Sequence, residues 1–275
     1  MSPVPAKGPT PRTRPPRGGQ RYRLTIAYDG TDLYGWQTQP GKSTVQGALE
    51  AALQQLTGES PRVHSSGRTD TGVHARAQVA HLDLARPWEP WRLQKGLNAL
   101  LADDIRVTEL RRARPTFHAR YDARGKEYRY TIWNAPVMSP LHRRQAVHIR
   151  APLAVDAMRE AAAMLEGTHD FAAFSANPHR EIEGTVRTLW RLAVRRQGAL
   201  VTIHAVGDGF LYRMVRSLAG HLLRVGLGAV PAAETATLLA SKTRTARVET
   251  APAHGLCLWQ IFYGAIPGLP KPPPA

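Results

Sequence analysis

Two successive rounds of strand and helix patterning constrain the fold of this chain more than any other feature. In the first round, apolar and polar residues alternate over residues 22–28, which predicts a strand. Apolar residues then recur at helical spacing over residues 45–56, and Gly58 ends the predicted helix. A second strand is predicted over residues 78–84.

The second half of the chain repeats this order. A strand is predicted over residues 126–133, a helix over residues 153–166 and a hairpin over residues 186–206. A long helix over residues 210–225 and a closing strand over residues 256–263 follow. We therefore predict an α/β protein of the α+β type, in which two similar halves share one sheet. No sequence repeat relates the two halves, so this prediction concerns architecture alone.

Some details of the helices can also be predicted. Ser43 and Gln46 have the spacing of a capping box at the start of the first helix. A further helix is predicted over residues 88–101, and a strand over residues 105–110 follows it. The residues expected to pack the helix at 88–101 against the core are Trp91, Leu97, Leu100 and Leu101.

The chain is strongly basic. It carries 37 Lys and Arg residues against 21 Asp and Glu residues in a total of 275, which gives a formal net charge of +16. Such an excess is typical of a protein that binds a polyanion, and nucleic acid is the commonest partner of this kind. A membrane surface and an acidic protein are the other partner classes that fit.

Three groups of basic residues are candidates for contact with phosphate. Arg213 and Arg216 lie three residues apart near the start of the long predicted helix, where a helix N-terminus already favours anions. A solvated basic face is the alternative for this pair. Together, the three groups favour a groove that follows a nucleic-acid backbone. The other two groups are Lys242, Arg244 and Arg247, and Arg111, Arg112 and Arg114.

Several classes of protein do not fit the sequence. Cys257 is the only cysteine, so no intramolecular disulfide can form, which fits the reducing cytoplasm. No run approaches the roughly 20 apolar residues of a membrane span, and no secretory signal follows the first residues. The eleven histidines lack the spacing of a metal site. We therefore expect a cytoplasmic protein with no membrane segment and no metal.

Composition divides the chain into two tails and two halves. Residues 1–20 contain six prolines, four cations and no acid, and we expect them to form a disordered, dispensable tail. A mobile arm that binds a polyanion is the alternative. Residues 265–275 form a second Pro-rich tail. Between the tails we expect an N-terminal half over residues 21–115 and a C-terminal half over residues 116–264.

The segment over residues 65–75 is the strongest candidate for a functional site. Gly67 and Gly72 bracket Arg68 and Asp70 in a stretch with little side-chain bulk. Glycine suits a tight turn or a close approach of the backbone to a ligand. The structural alternative is an ordinary turn, in which Asp70 bonds its own backbone two residues on.

An aspartic protease is a remote alternative for the same segment, because residues 70–72 spell the Asp-Thr-Gly motif of that class. Those enzymes need two carboxylates that share one proton, and this chain has one such tripeptide. The residues before it, 65–68, are polar where a protease has an apolar strand.

Two tyrosines in the strand at residues 126–133 are further candidates. A period of two places Tyr128, Tyr130 and Ile132 on one face of the strand and Arg129 on the other. Core packing is the default role for each tyrosine. Spacing alone does not say which ring would reach a ligand.

Seven motifs, taken in chain order, resemble those of the TruA family of tRNA pseudouridine synthases. The most specific is the string G-R-T-D-T-G-V-H at residues 67–74. The resemblance covers residues 21–264 and leaves out only the tails. The family often has alanine where this chain has Thr71, and the expected chemistry does not depend on that residue. The other six motifs are Tyr28-Asp29-Gly30, Gly35-Trp36-Gln37, Phe117-His118-Ala119-Arg120, Tyr128-Arg129-Tyr130, Met214-Val215-Arg216 and Gly255-Leu256-x-Leu258.

The resemblance implies a fold, a reaction and a set of site residues. It implies a pseudouridine synthase fold, with a mixed, mostly antiparallel sheet, flanking helices and a central basic cleft. It also implies an isomerase that converts uridine to pseudouridine at positions 38 to 40 of the tRNA anticodon stem-loop, as a homodimer without cofactor or metal. By the match of motifs, Asp70 takes the place of the catalytic aspartate and Arg68 that of the arginine two residues before it. Tyr128 corresponds to the tyrosine that contacts the target base, Arg216 to an arginine near the active site and Leu256 to an apolar residue that packs against the base.

The residues suit the chemistry that the resemblance implies. The glycosidic bond must break at N1 of uracil and reform at C5 without net redox change, so one carboxylate suffices as nucleophile or base. The target base is stacked in a stem and must be flipped out, at a cost of a few kcal/mol. We expect Arg68 to stabilise the ionised Asp70 or to fill the vacated stack. A non-catalytic RNA-binding protein, the main alternative, would explain the charge but not the presented carboxylate.

Overall fold

The computed structural model describes residues 14–176 and 184–266. Most of the two predicted tails, residues 1–13 and 267–275, lies outside this part of the chain. Within it, the strands and helices follow one another in nearly the predicted order.

The described residues form ten strands and five α-helices. The strands are β1 (Gln20–Tyr28), β2 (His64–Ser65), β3 (His74–Leu84), β4 (Ile105–Arg112), β5 (Gly125–Asn134), β6 (Val147–Ile149), β7 (Gly167–Asp170), β8 (Val186–Gln197), β9 (Leu200–Gly207) and β10 (Leu256–Phe262). The helices are α1 (Val45–Thr57), α2 (Pro90–Leu100), α3 (Val155–Ala163), α4 (Met214–Gly226) and α5 (Glu234–Ser241). None of these helices is long and apolar enough to cross a membrane.

All ten described strands belong to one sheet. Its main path runs β4-β1-β3-β10-β5-β9-β8-β7, while β2 pairs with β3 and β6 pairs with β5. The pairings are antiparallel except for β10 with β3 and β5 with β6. The prediction of a mixed, mostly antiparallel sheet with flanking helices is therefore confirmed.

The last of the described strands joins the two parts of the sheet. β10 lies between β3, from the N-terminal part, and β5, from the C-terminal part. Its parallel pairing with β3 covers only two residue pairs, Cys257 with His74 and Leu258 with Ala75. Because β3 starts at His74, this short seam lies directly after the Asp70 loop. The topology thus puts the candidate site where the two parts of the sheet meet.

Alternating side chains from the strands form the core beneath the helices. Leu24 and Ile26 of β1 and Tyr130 and Ile132 of β5 are fully buried, as the period of two predicts. Burial of each such side chain contributes about 1.5–3 kcal/mol to stability. On the C-terminal part of the sheet, α3 packs against β8 and against α4, which also contacts β5. This packing fixes the position of α4, whose N-terminal end reaches the candidate site.

The start of α1 does not use the predicted capping box. Thr44 rather than Ser43 is the N-cap, and its hydroxyl oxygen accepts a hydrogen bond from Gly47 N at 3.3 Å. Gln46 makes no reciprocal cap and instead donates to the carbonyl oxygen of Val63 at 3.0 Å. The tertiary hydrogen bond from Gln46 to Val63 therefore takes the place of the predicted capping bond. This bond ties α1 to the segment that leads into the Asp70 loop.

The packing prediction for α2 was half wrong. Leu97 and Leu101 are buried as expected, but Trp91 is 61% exposed and Leu100 is also exposed. Leu93 and Leu97, four residues apart, form the buried face of the helix, since positions i and i+4 lie on one side. Trp91, two residues before Leu93, points away from that side and reaches solvent.

The long helix α4 begins later than predicted. It starts at Met214, because Arg213 has a left-handed backbone with φ of 56°, which cannot continue a helix toward its N-terminus. Phe210 therefore lies in a loop rather than on the helix. α3 likewise ends at Ala163, three residues before the predicted end.

Candidate active site

The loop that carries Asp70 is held by the backbone of residues 30–36. Trp36 N donates to the carbonyl oxygen of Thr69 at 3.1 Å, and Gly72 N donates to that of Leu33 at 3.3 Å. These bonds flank Asp70 on both sides. The position of the carboxylate is therefore set by backbone contacts between two loops, and not by the side chain alone.

Gly35 lies directly against this loop. A Cβ atom at Gly35 would lie 2.5 Å from the carbonyl oxygen of Thr69 and 2.9 Å from the carbonyl carbon of Asp70, and φ of Gly35 is 78°. Both the close approach and the left-handed backbone require glycine here.

We expect Gly35→Ala to lower the free energy of unfolding by about 2–4 kcal/mol, because it adds a backbone collision to left-handed strain. Gly41→Ala is the matched control, since Gly41 has φ of 68° but an added Cβ there would meet nothing within 4 Å. It should cost only about 1 kcal/mol. Denaturant unfolding of both variants checks the difference, and equal losses would contradict it.

Two arginines contact the carboxylate of Asp70. Nη1 of Arg216 lies 3.0 Å from Oδ2 of Asp70, and Nε of Arg213 lies 3.6 Å from the same oxygen. Arg216 also donates from Nε to the carbonyl oxygen of Ala251 at 2.8 Å. The side chain of Arg216 is 13% exposed and that of Arg213 is 40% exposed. Arg216 is therefore the anchored partner, and Arg213 is the one open to solvent.

A cavity of about 1300 Å³ opens in front of Asp70. Among the described residues that line it, Asp70 is the only acid. The cavity is thus a strongly cationic pocket around one carboxylate, and the predicted central basic cleft is present. The predicted site residues Arg68, Asp70, Tyr128, Arg216 and Leu256 all line this one cavity. The cations that line it are Arg62, Arg68, Arg120, Lys126, Arg213 and Arg216.

An apolar wall faces the cavity, formed by two strand residues from the centre of the sheet and one loop residue. It consists of Tyr128, Phe210 and Leu256, and the ring of Phe210 meets that of Tyr128 edge to face at 5.1 Å between centroids. Burial raises the pKa of the Tyr128 hydroxyl, and Tyr28 and Asp70 nearby raise it further. Tyr128 is therefore uncharged at neutral pH. Tyr130 lies elsewhere, with its hydroxyl donating to the carbonyl oxygen of Pro252 at 3.0 Å.

Comparison with known proteins decides the family. The family model described as tRNA pseudouridine synthase matches residues 24–122 and 161–264 of this chain. The chain belongs to the tRNA pseudouridine synthase family. It is therefore an isomerase of tRNA uridine, and neither the aspartic protease nor the non-catalytic RNA-binding protein is supported.

Curated relatives support this assignment, and the match to them extends along nearly their whole length. The synthase is 47% identical over 247 residues to tRNA pseudouridine synthase A of Brevibacillus brevis, which covers 89% of this chain and 100% of the relative. It is 48% identical over 261 residues to the protein of that name from Solidesulfovibrio magneticus, and the match covers 91% of this chain and 94% of the relative. The corresponding protein of Geobacillus kaustophilus is 45% identical over 247 residues, and the match covers 89% of this chain and 95% of the relative.

Lys126 and Phe210 line the cavity of the synthase, but the sequence did not identify them as site residues. Lys126 donates from Nζ to the carbonyl oxygen of Ser66 at 3.0 Å, and burial, with Arg120 nearby, lowers its pKa to about 8. Lys126 thus holds the start of the Asp70 loop and stays mainly protonated at pH 7. Phe210 was assigned to a helix face, although Gly207 and Gly209 before it already indicated a loop.

Arg68 is exposed in the Asp70 loop and lines the cavity. Sequence reasoning gave it the task of stabilising the Asp70 carboxylate. A second guanidinium, that of Arg216, 146 positions further along the chain, donates to this carboxylate at 3.0 Å. Both expected tasks of Arg68, to stabilise the ionised Asp70 and to fill the stack that a flipped base leaves, stay predictions.

Two of the three predicted basic groups do not line the cavity of the synthase. Arg244 donates to the hydroxyl oxygen of Ser217 and to the carbonyl oxygen of Val248, so it ties its own loop to α4. In the other group, Arg112 pairs with Glu89 at 2.7 Å. Of the three groups, only the pair Arg213 and Arg216 lines the cavity. No group of three or more His, Cys, Asp and Glu side chains in the described part of the chain is placed to hold a metal ion.

Proposed function

We propose that this synthase converts uridine to pseudouridine at positions 38 to 40 of the tRNA anticodon stem-loop, with Asp70 as the catalytic residue. The observation that carries the proposal is one carboxylate, held by Arg216, in a cavity with six cations. The reaction follows from the family and from the shared name of its relatives. The choice of positions 38 to 40 rests on the resemblance of the seven motifs to the TruA family.

The cavity suits a uridine that has left its stem. The cations of its lining attract the phosphates on either side of the flipped nucleotide. Tyr128 offers an uncharged ring and Leu256 an aliphatic surface, and the uracil can lie against both. We propose that this apolar wall holds the base while Asp70 faces the sugar and the glycosidic bond.

One carboxylate can carry the whole isomerisation. Asp70 attacks C1′ of the sugar or C6 of the base, or removes a proton from the sugar. Each route gives the same net change in bonds and protons. The bond from N1 to C1′ breaks, the uracil rotates, and a bond from C5 to C1′ forms. C5 then loses its proton and N1 carries one, so no electrons are gained or lost. Asp70 is regenerated at the end.

The remaining parts of the proposal rest on the resemblance. We propose a cytoplasmic homodimer that works without metal or cofactor. The dimer is testable by light scattering, which should give twice the 30.3 kDa mass of one chain. A mass of one chain at the working concentration would contradict it.

Unmodified tRNA tests the proposed function directly. After incubation with the protein, we expect pseudouridine at one or more of positions 38 to 40, mapped by chemical modification and primer extension. A transcript with cytidine at these positions should give none. Pseudouridine at other positions would contradict the proposed target, and tRNA binding without any product would contradict the proposed reaction.

A further inference from the structure

The cavity is larger than one flipped uridine requires. Its volume of about 1300 Å³ exceeds the roughly 300–1,000 Å³ of pockets that enclose one small molecule. A uridine in front of Asp70 therefore leaves part of the cavity for another group. Residues 62–64, 118, 120 and 121 form a section of the lining to which the proposed chemistry assigns no task.

Four rings are packed together in this section, and we call them the histidine–tyrosine stack: His64, His81, His118 and Tyr121. The rings of His118 and Tyr121 lie 4.2 Å apart between centroids, those of His81 and His118 lie 4.6 Å apart, and those of His64 and His81 lie 5.1 Å apart. The planes of the last pair are nearly parallel, at 21°, whereas those of the other two pairs are tilted, at 35° and 59°. His81 is buried beneath the others, whereas Tyr121 is 37% exposed and lines the cavity. The stack thus ends in an aromatic ring that a ligand can reach.

The backbone holds the stack in place. Nδ1 of His118 accepts hydrogen bonds from the backbone N–H groups of Arg120 and Tyr121, at 3.1 and 3.3 Å. Nδ1 of His81 accepts one from Ala119 N at 3.2 Å. Burial lowers the pKa of His81 to about 3, and His118 and Arg21 nearby add to the effect. The support beneath Tyr121 is therefore rigid, and its lowest ring is uncharged at neutral pH.

Two exposed arginines of the same lining are close in sequence to residues of the stack. Arg62 lies two residues before His64, the first residue of β2, and Arg120 immediately precedes Tyr121. Arg62 has Glu50 as a partner at 3.2 Å, yet its side chain is 54% exposed. An aromatic ring flanked by arginines is the arrangement that binds single-stranded nucleic acid, with a base on the ring and phosphates on the cations.

We propose that Tyr121, supported by the histidines beneath it, is a second base-binding subsite, which stacks a nucleobase next to the flipped uridine. Arg120 and Arg62 pair with the phosphates of that nucleotide. This subsite rests on the proposed function, since it takes the uridine in front of Asp70 as its neighbour. It contributes affinity and holds the strand open, and takes no part in the bond changes.

The test compares the affinity of unmodified tRNA for three variants at several salt concentrations. Tyr121→Leu keeps the bulk of the side chain but removes the ring, and it should weaken binding by about 5- to 100-fold without changing the salt slope. Tyr121→Phe keeps the ring and should restore most of that affinity. Trp91→Leu removes an exposed ring of α2 that does not line the cavity, and it should bind like the parent.

An affinity of Tyr121→Leu equal to that of Trp91→Leu would overturn the subsite. A stem-loop with 2-aminopurine beside the target uridine gives a second measurement on the parent protein itself. This base is quenched while it is stacked and fluoresces when unstacked, and extrusion of the neighbouring uridine removes one of its stacking partners. It should therefore stay quenched in the complex if it lies on Tyr121, and a bright signal in the complex would also overturn the subsite. Pseudouridine formation is measured on the same tRNA. If the parent makes none, the proposed reaction fails, whereas the comparison of affinities still decides whether Tyr121 stacks a base.

Discussion

Asp70→Asn is expected to abolish pseudouridine formation, with a loss on the order of 10⁴-fold or more, while the affinity for tRNA stays within a few-fold of the parent. Asparagine keeps the shape of the side chain, and its carbonyl oxygen can still accept the hydrogen bond from Arg216. It cannot act as the nucleophile or the base. The loss should therefore appear in kcat and not in binding.

The electrostatics of the cavity set the sign of any change in affinity. Asp70 is the only acid among the described lining residues, so its neutralisation makes the cavity more cationic. Binding of phosphate should then stay the same or tighten. A marked loss of affinity in Asp70→Asn would instead indicate that the carboxylate orders the cavity.

Single-turnover formation of pseudouridine and equilibrium binding of tRNA separate these outcomes. Asp156→Asn is the matched control, because Asp156 is an exposed carboxylate of α3 that does not line the cavity. It should retain full activity. If Asp70→Asn kept activity near that of Asp156→Asn, the role proposed for Asp70 would be wrong.

Local sequence patterns predicted much of this fold because they reflect the face that each element buries. The alternation in residues 126–133 placed Tyr128, Tyr130 and Ile132 on the buried face, where the structure has them. The hairpin over residues 186–206 was likewise predictable, since Gly198 accepts the left-handed backbone found at its turn.

Contacts between distant segments account for most of what the sequence did not reveal. The capping box at Ser43 and Gln46 failed because Gln46 bonds Val63 instead, a partner that no local pattern indicates. Arg213 blocks the start of α4 by a left-handed backbone that its residue type does not favour.

The same distinction applies to the site. The motif match gathered five residues, and all five line one cavity. The match did not reveal that Arg216 contacts the carboxylate of Asp70, because this contact depends on the sheet, which brings α4 to the Asp70 loop. The seam of β3 and β10 creates this meeting point, and it joins residues about 180 positions apart.

Arg216→Gln is expected to lower kcat by roughly 10- to 100-fold and to leave the salt dependence of tRNA binding unchanged. Arg216 uses Nη1 on Asp70 and Nε on the carbonyl oxygen of Ala251. With its side chain only 13% exposed, its charge is engaged inside the protein and is not available to a phosphate. Its loss should therefore misplace Asp70 rather than remove a phosphate contact.

Arg213→Gln is the matched comparison, because the two arginines share Asp70 but differ in anchoring. Arg213 lies 3.6 Å from the carboxylate and is 40% exposed, so its guanidinium can turn toward an incoming phosphate. We expect this variant to reduce the salt slope of tRNA binding by about one unit, with a smaller loss in kcat than Arg216→Gln. Binding measured at a series of salt concentrations, together with single-turnover rates, distinguishes the two. A reduced slope in Arg216→Gln would place that arginine on the RNA backbone, and Asp70 would then depend on Arg213 for its position in the free protein.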